Sequence, residues 1–351
     1  MELTGKNVLV VGLARSGMAA IKVLHRLGAV ITLSESKKKE DIKELPELEK
    51  LGVTVVDQSM QVFEGDYALV VKNPGVPFRS PMMQRLAERN IPVITEIELA
   101  YNVAKPQHYV AITGTNGKTT TSTLVYELLA KTFPGKTHLC GNIGIPLCET
   151  VLENGLMEEG GHYIALEISN FQLVNIDRFR PEAAVILNLT PDHVDFMGSL
   201  DAYYKSKTEV YRNISGSDLF LLNADDPVLA EYTAKYPVNC TVRTFSTDRS
   251  DTDSCVSGGY VCVNGEKVLP LDLIKIIGKH NLQNIIVAVS IAKAFGVTNE
   301  DICSVIADFR GVEHRIEFVR ELNGVKYYND SKGTNTDATV TALKAFDKGV
   351  I

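Results

Sequence analysis

A glycine-rich turn between an apolar strand and a helix is the feature that most constrains this chain. Residues 111–120 read Ala-Ile-Thr-Gly-Thr-Asn-Gly-Lys-Thr-Thr, and apolar residues at helical spacing follow as far as Leu129. The glycines allow backbone N–H groups at the start of the helix to converge on one point, where phosphate oxygens bind. The turn differs from the usual phosphate-binding loop, because Ile112 occupies the first-glycine position and Gly114 shortens the loop. The alternative is a glycine turn that precedes Lys-Thr by chance.

The side chains of this loop suit a nucleoside triphosphate and its Mg²⁺. Lys118 would reach the β- and γ-phosphates, and the Thr119 hydroxyl would bind Mg²⁺. The candidate ATP-binding residues of the loop are Gly114, Thr115, Asn116, Gly117, Lys118, Thr119 and Thr120.

Alternating strand and helix patterns predict two α/β domains. We predict a Rossmann-like domain over 1–101, a linker over 102–107, and a central ATP-binding domain over 108–311. Short polar alternations over 241–274 predict a small antiparallel insertion in the central domain. A long helix is expected from Asn281 to about Phe295.

A third unit is predicted over 312–351. Strand patterns on both sides of Asn323-Gly324 favour a hairpin with a two-residue turn. A loop over 329–337, a helix over 338–347 and the start of another buried strand follow. So short a unit cannot bury a normal core, and we therefore expect the beginning of an α/β domain that is incomplete in this sequence.

A second glycine-containing turn, Gly12-Leu-Ala-Arg-Ser-Gly17, follows the first strand, and Glu35 lies near the end of the second. The arrangement is similar to a dinucleotide fingerprint, in which an acidic residue about 20 positions further on binds the ribose. Ala14 replaces the second glycine of that fingerprint. Three interpretations therefore stay open: a turn without a ligand, a site for a nucleotide or diphosphate other than NAD, and a site for NAD or FAD.

Two further chemical groups follow predicted strands of the central domain. Glu167 ends the strand that begins near Tyr163, and His193 follows the strand over 183–189. Ligands of open α/β sheets bind at the carboxyl ends of the strands, where Glu167 and His193 could hold a metal beside a P-loop phosphate. Either residue alone could equally be a solvated strand end.

Several other residues are ambiguous on sequence alone. Lys207 lies in a stretch of alternating charges that is typical of a solvated helix. Asn281 and Asn284 share one face at the start of the long helix, where they could cap the helix or contact a ligand. The third unit adds charged and polar side chains at Arg315, Asp330, Lys332 and Thr334.

Composition narrows the class of protein. Lys and Arg number 36 against 43 Asp and Glu, a formal net charge of −7, which disfavours a broad nucleic-acid-binding surface. No apolar run approaches the roughly 18 residues that a membrane span needs. The six cysteines are scattered without a Cys-x-x-Cys pair, which favours free thiols in a reducing cytosol.

Taken in order, the motifs resemble those of the Mur ligase family, whose members form amides with ATP in bacterial cell-wall synthesis. The resemblance spans essentially the whole chain and rests on seven ordered motifs: Gly-Thr-Asn-Gly-Lys-Thr, Leu-Glu-Ile-Ser-Asn-Phe-Gln-Leu, Asn-Leu-Thr-Pro-Asp-His-Val-Asp, Tyr-x-x-x-Lys, Gly-Lys-His-Asn-x-x-Asn, His314-Arg315 and Asn-Asp-Ser-Lys. Val-Gly-Leu-Ala-Arg-Ser-Gly and Lys-Asn-Pro-Gly-Val-Pro make the chain most similar to the members that add D-glutamate to UDP-N-acetylmuramoyl-L-alanine.

The resemblance implies an ATP-dependent ligase of cytoplasmic peptidoglycan precursor synthesis. ATP would phosphorylate the substrate carboxylate, and D-glutamate would attack the acyl phosphate. Lys118, His193 and Lys207 are then catalytic, and Lys207 carries a CO₂-derived carbamate. Two Mg²⁺ ions would be bound by Thr119, Glu167, His193 and Lys207.

The resemblance also assigns substrate contacts. Asn281, Asn284, Arg315 and Asp330 would bind ATP, while Lys332 and Thr334 would face the amino acid. The residues expected to hold the UDP moiety are Arg15, Ser16, Gly17, Glu35, Ser36, Asn73, Pro74, Gly75 and Asn142.

Family members usually extend about a hundred residues beyond this length, so we expect the amino-acid site to be incomplete here. We expect a monomer with no nucleic-acid or membrane partner. The alternatives are another Mur-type or folylpolyglutamate-type ligase, a Rossmann dehydrogenase, and a non-catalytic nucleotide-binding fragment.

Overall fold

A computed structural model describes residues 1–77, 79–192, 194–333, 336–346 and 350. It describes backbone only for residues 60, 194, 195 and 337. The predicted start of a strand at 349–351 therefore lies almost entirely outside the described part of the chain.

The N-terminal unit is a parallel five-stranded sheet with helices on its faces, as predicted. Its strands are ordered β3-β2-β1-β4-β5, so β1 and β4 lie side by side at the centre. Its elements are β1 (Asn7–Val11), α1 (Ala14–Arg26), β2 (Val30–Ser34), α2 (Leu45–Lys50), β3 (Thr54–Val56), α3 (Met60–Phe63), β4 (Leu69–Lys72), α4 (Pro81–Glu88), β5 (Val93–Ile94) and α5 (Glu96–Val103).

The central unit is built on a nine-stranded sheet ordered β14-β13-β12-β11-β10-β9-β6-β8-β7. Strands β6 to β11 are parallel to their neighbours. The antiparallel pairs are β12 with β13 and β13 with β14. The elements are β6 (His108–Thr113), α6 (Lys118–Thr132), β7 (Thr137–Gly141), α7 (Leu147–Glu153), β8 (Tyr163–Glu167), α8 (Asn170–Leu173), β9 (Ala183–Ile186), α9 (Val194–Met197), α10 (Leu200–Thr208), β10 (Gly216–Asn223), α11 (Pro227–Lys235), β11 (Cys240–Phe245), β12 (Ser254–Ser257), β13 (Tyr260–Val263), β14 (Glu266–Pro270), α12 (Lys279–Ala294) and α13 (Asn299–Asp308).

The C-terminal unit contains a hairpin, β15 (Glu317–Leu322) and β16 (Val325–Asn329), followed by α14 (Thr336–Lys344). Asn323 and Gly324 have φ values of 50° and 79°, the left-handed pair that the predicted Asn-Gly turn requires.

Three expectations about local structure need correction. The antiparallel insertion begins at β12 and continues the main sheet, because β11 pairs parallel with both β10 and β12. The linker begins later than residue 102, because α5 extends to Val103. The last helix begins at Thr336 and ends at Lys344, so the loop before it is shorter than predicted.

One hydrophobic core joins the N-terminal and central units. It includes Val8 and Leu24 from the first sheet and Tyr109 and Leu166 from the second, with α1, α5 and α7 between them. The two sheets are therefore packed together through these helices. None of the described helices is both long and apolar enough to span a lipid bilayer.

Candidate active site

The predicted phosphate-binding loop follows β6, the third strand from the β7 edge of the large sheet. Strand β6 runs between β8 and β9, so the loop after β6 meets Glu167 and the segment after β9 at one edge. Gly114 and Gly117 have φ values of 143° and 85°, a region that L side chains rarely adopt. A Cβ on Gly117 would stand 2.5 Å from Asn284 Oδ1, so glycine is required for space as well as for conformation.

An asparagine that the sequence argument did not single out fixes this loop. Asn188 Oδ1 accepts a hydrogen bond from Asn116 N–H at 2.9 Å, and Asn188 Nδ2 donates to the Asn116 carbonyl at 3.1 Å. The Thr115 hydroxyl donates to the Thr190 carbonyl at 3.0 Å. Hydrogen bonds to the segment after β9 therefore fix the backbone of this loop. Asn188 is the first residue of the Asn-Leu-Thr-Pro-Asp-His-Val-Asp motif, in which the sequence argument singled out only His193.

Two lysines from different helices converge on one carbonyl. Lys118 Nζ and Lys207 Nζ each donate to the Gly114 carbonyl at 2.9 Å, and Lys118 Nζ also donates to the Thr115 carbonyl at 2.8 Å. Burial lowers the pKa of Lys118, which the charge of Glu167 partly opposes. Two amines therefore lie next to each other at the loop that is predicted to bind phosphate.

Lys207 is not on a solvated helix face. Its side chain is 1% exposed and its Nζ lies 4.8 Å from the centre of the Tyr203 ring. Burial, followed by the charge of Lys118, lowers the pKa of Lys207 well below its usual value. A neutral amine is the nucleophilic form of lysine, so this environment favours reaction of Lys207 with an electrophile.

Glu167 provides a buried carboxylate oxygen without a partner. Oε1 accepts from Asn142 Nδ2 at 2.7 Å, whereas Oε2 is buried and accepts no hydrogen bond in the described part of the chain. An unsatisfied anionic oxygen beside a phosphate loop fits a hard divalent cation. Thr119, also buried, is the second residue of the neighbouring helix α6.

Other metal contacts are less defined. Within the described ranges, no group of three or more His, Cys, Asp and Glu side chains is arranged to hold a metal. The predicted ligand His193 lies outside the described residues. Asn142, predicted to bind the UDP substrate, is engaged with Glu167 in this structure.

The residues predicted for the base end of ATP line one cavity between the central and C-terminal units. Asn281 Oδ1 accepts from Asn284 Nδ2 at 3.3 Å, and Arg315 Nε is buried without an acceptor in the described chain. The predicted ATP residues in the lining are Asn116, Gly117, Thr120, Asn281, Asn284, Arg315 and Asp330.

Sequence reasoning missed two neighbours of this cavity, His280 and Gln283. Both also line an adjoining cavity of about 690 Å³, which is within the range of small-molecule sites. Burial lowers the pKa of His280, which favours a neutral imidazole able to contact a base or ribose. His280 is part of the Gly-Lys-His-Asn motif, so this motif could have indicated it as a site residue.

The predicted nucleotide turn of the N-terminal unit is also assembled. Asn73 Nδ2 donates to Ser16 Oγ at 2.8 Å, and Gly75 N–H donates to Asn73 Oδ1 at 3.0 Å. Gly17 packs so closely on the Gly12 carbonyl that a Cβ could not fit between them. The loop after β1 and the Asn73-Pro74-Gly75 turn after β4 therefore form one surface at the carboxyl edge of the first sheet.

Two charged residues of this surface have protein partners. Glu35 Oε2 accepts from Leu13 N–H at 2.7 Å, and Oε1 accepts from Ser36 N–H and from Ser36 Oγ. Although burial raises the pKa of Glu35, these hydrogen bonds lower it overall. Arg15 donates to the Gly144 carbonyl at 2.7 Å and pairs with Glu149, which ties the loop to the central unit.

Of the two residues predicted to face the amino acid, the structure describes only Lys332. Lys332 is exposed, and its backbone N–H donates to the His314 carbonyl at 3.1 Å. Thr334 lies outside the described residues. The Asp330 carboxylate accepts from Ile316 N–H at 3.1 Å, which fixes the loop that follows β16.

The model of the Mur ligase middle domain matches residues 112–292, and that of the Mur ligase MurD-like N-terminal domain matches residues 6–95. The chain belongs to the Mur ligase family. This family consists of ATP- and Mg²⁺-dependent ligases that form C–N bonds, so the predictions of the family and the reaction class are confirmed.

Relatives named UDP-N-acetylmuramoylalanine--D-glutamate ligase cover nearly the whole chain. The one from Geobacillus sp. (strain WCH70) is 39% identical over 345 residues, which are 98% of this chain and 75% of the relative. The one from Enterococcus hirae is 40% identical over 345 residues, 97% of this chain and 74% of the relative.

Solved Mur ligase structures share the fold. UDP-N-acetylmuramate-alanine ligase MurC from Thermotoga maritima has a TM-score of 0.55 at 21% identity, covering 97% of this chain and 77% of that one. The murein peptide ligase Mpl from Psychrobacter arcticus has a TM-score of 0.58 at 19% identity, covering 97% and 75%. The predicted multi-domain α/β fold class is confirmed.

Proposed function

We propose that this chain ligates D-glutamate to UDP-N-acetylmuramoyl-L-alanine at the expense of ATP, in cytoplasmic peptidoglycan precursor synthesis. The relatives of about 40% identity carry that activity in their names. The observation that supports it most is the group formed by Lys118, Lys207 and the unpartnered oxygen of Glu167 around the phosphate loop.

The chemical problem is the approach of two anions. A carboxylate oxygen of the substrate attacks the γ-phosphorus of ATP, the bond to the β–γ bridging oxygen breaks, and ADP leaves. The D-glutamate amine then attacks the acyl carbon, loses a proton, and expels phosphate that carries the former carboxylate oxygen. Lys118, held 2.9 Å from the Gly114 carbonyl, is positioned to turn toward the γ-phosphate and stabilise the charge.

The residues present fit Mg²⁺. Thr119 and Glu167 would hold the ion near the ATP phosphates, and His193 with modified Lys207 would hold a second one. When bound, Mg²⁺ neutralises the phosphate charges and polarises the phosphoryl group. Asn142 holds Glu167 through its Oε1, and Oε2, which has no partner in the described part of the chain, would be available to a cation.

Lys207 is proposed to carry a carbamate. The neutral amine adds to the carbon of CO₂ and releases one proton, so an uncharged side chain becomes an anionic one. Burial and the charge of Lys118 support this reaction, because both lower the pKa of Lys207. The resulting carboxylate could pair with Lys118 and with a cation, whereas two ammonium groups would repel each other.

The remaining site residues act in substrate binding. Asn281 and Asn284 would contact the adenine side of ATP, and Arg315 and Asp330 would close over the nucleotide. The buried Arg315 Nε supports this because it has no acceptor among the described residues. The surface formed by Arg15, Ser16, Gly17, Glu35, Ser36, Asn73, Pro74 and Gly75 would hold uridine and diphosphate, with Asn142 near the sugar. Lys332 and Thr334 would face D-glutamate in a protein that acts as a monomer.

Isotope transfer tests the reaction. The chain is incubated with ATP, Mg²⁺, D-glutamate and UDP-N-acetylmuramoyl-L-alanine labelled with ¹⁸O in its carboxylate. One ¹⁸O atom should appear in the phosphate for each amide formed. Lys118→Ala should abolish ATP turnover, whereas Lys131→Ala, an exposed lysine of the same helix, should retain it. Amide formation with unlabelled phosphate would refute the acyl-phosphate route.

Carbon-13 spectroscopy tests the carbamate. Protein equilibrated with ¹³CO₂ should show one carbamate signal that Lys207→Ala removes, and small carboxylic acids should partly restore the variant's activity. Absence of the signal in substrate-loaded, CO₂-equilibrated protein would refute the modification but not the ligase assignment.

A further inference from the structure

Lys72 is a buried cation that the proposed mechanism does not use. It ends β4 at the centre of the N-terminal sheet, opposite Val11 of β1, and its side chain is 2% exposed. Strand alternation places it on the same face as Val70, which packs in a small apolar core with Phe63 and Met83. Lysine is almost never fully buried without a partner, so its presence here needs an explanation.

The ammonium group of Lys72 supports the turn at the predicted UDP site. Its Nζ donates to the carbonyls of Asn73 at 3.2 Å and Val76 at 3.0 Å. Asn73 in turn donates to Ser16 Oγ in the loop after β1. Lys72 is therefore linked directly to the 73–76 turn and, through Asn73, to the loop after β1. Its two acceptors are uncharged carbonyls, so they do not neutralise its positive charge.

Burying a charge without a counter-ion costs folding free energy, and an apolar side chain would serve better in a purely structural position. A bound anion would offset that cost. The surface above Lys72 is also the amino end of α1, whose backbone dipole favours a negative group.

We propose that Lys72 is a positioning residue for the UDP moiety, shaping the 73–76 turn and supplying the positive charge that favours a diphosphate at this edge. This inference rests on the proposed function, because it takes this edge as the UDP site. It predicts that Lys72 discriminates between phosphorylated and unphosphorylated uridine.

Calorimetric titration of the full chain with UDP and with uridine tests the charge directly. Lys72→Met keeps a long apolar side chain and removes the charge, and Lys50→Met makes the same change at an exposed lysine. We expect the dissociation constant for UDP to rise at least about tenfold in Lys72→Met, with uridine changing less than about threefold. Lys50→Met should bind both as the unmodified protein does.

Proton linkage gives a second readout that needs no variant. Burial lowers the pKa of Lys72 to about 8, and no charged side chain in the described chain contributes to that shift. Other ionisable groups at this edge include Glu35, whose pKa is lowered, Arg15, paired with Glu149, and Lys37 and Asp57, which follow β2 and β3. UDP is fully ionised at pH 8.5, because the second phosphate pKa is about 6.

Binding of UDP at pH 8.5 should therefore take up a fraction of a proton, measured from the binding enthalpy in buffers of different ionisation enthalpy. Uridine should take up less, because it shares the uracil N3 proton of UDP but lacks the diphosphate. Equal losses of UDP and uridine binding in Lys72→Met would show that Lys72 has only a structural role, which would overturn the inference. Unchanged UDP binding, or no proton uptake, would overturn it as well. Failure of the unmodified chain to bind UDP would instead overturn the proposed UDP site itself.

Discussion

Gly117→Ala isolates the close approach of the phosphate loop to the long helix. Two effects combine at this position. An L residue in the left-handed region costs roughly 1–2 kcal/mol. The new Cβ would also stand 2.5 Å from Asn284 Oδ1 and 3.2 Å from Leu187 Cδ1, so a side chain must move.

The steric part can be separated by a matched control. Gly135 has a φ of 75° in the loop after α6, and a Cβ there would have no neighbour within 4 Å. Gly135→Ala should therefore lower the free energy of unfolding by about 1–2 kcal/mol. Gly117→Ala should lower it by roughly 3–5 kcal/mol, because overpacking and the loss of the Asn284–Asn281 hydrogen bond are added.

Denaturant unfolding and ATP titration measure the two consequences. Gly117→Ala should weaken ATP binding at least about tenfold, since Asn284 moves out of the base-binding cavity. Gly135→Ala should leave ATP binding unchanged. The steric penalty should largely vanish when Asn284→Ala is combined with Gly117→Ala. Equal unfolding free energies and equal ATP affinities for the two glycine variants would refute the reasoning.

Three other variants test separate parts of the site and its scaffold. Asn188→Ala should cost about 1–3 kcal/mol of stability and weaken ATP binding, because the Asn116 N–H and carbonyl lose their partners; unchanged ATP titration would contradict this. Glu167→Gln should raise the Mg²⁺ concentration needed for half-maximal ATP turnover at least about tenfold, and an unchanged Mg²⁺ titration would remove Glu167 from the metal site. Glu96→Gln tests a buried carboxyl whose pKa burial raises to about 7. Because the folded pKa exceeds the unfolded one, the unmodified protein should lose up to roughly 3 kcal/mol relative to Glu96→Gln between pH 4.5 and 7, measured by unfolding at several pH values.

Secondary-structure elements were predicted correctly where the local residue pattern and the tertiary contacts favour the same structure. The strand, glycine loop and helix around Lys118 were confirmed, as was the hairpin at Asn323-Gly324. In each case the backbone conformation is dictated by glycine or asparagine at the turn, and the flanking apolar pattern follows the period of the element.

Features that depend on distant partners could not be predicted. Helix α5 contains Glu98, a carboxylate without exposed surface that accepts hydrogen bonds from the backbone N–H groups of residues 177, 178 and 179. A local pattern gives no sign of those partners. Lys207 was misleading for the same reason, since its burial depends on α10 packing beneath the phosphate loop.

The candidate site was predictable where a motif names a chemical role. Residues from the loop after β6, from the start of α12 and from the C-terminal unit that were predicted to bind ATP line one cavity, and their binding role stays a prediction. Asn188 was not predicted, because its role is to hold the Asn116 backbone, and such contacts become visible only when the β9 segment is placed beside the loop.

Trapping the acyl phosphate tests the central claim most directly, because it does not depend on the amino-acid site. The chain is incubated with ATP, Mg²⁺, UDP-N-acetylmuramoyl-L-alanine and hydroxylamine, which replaces D-glutamate as the attacking amine. We expect the substrate hydroxamate and ADP in equal amounts, and neither product with Lys118→Ala. No hydroxamate or ADP from a chain that calorimetry shows to bind both substrates would contradict the proposed mechanism.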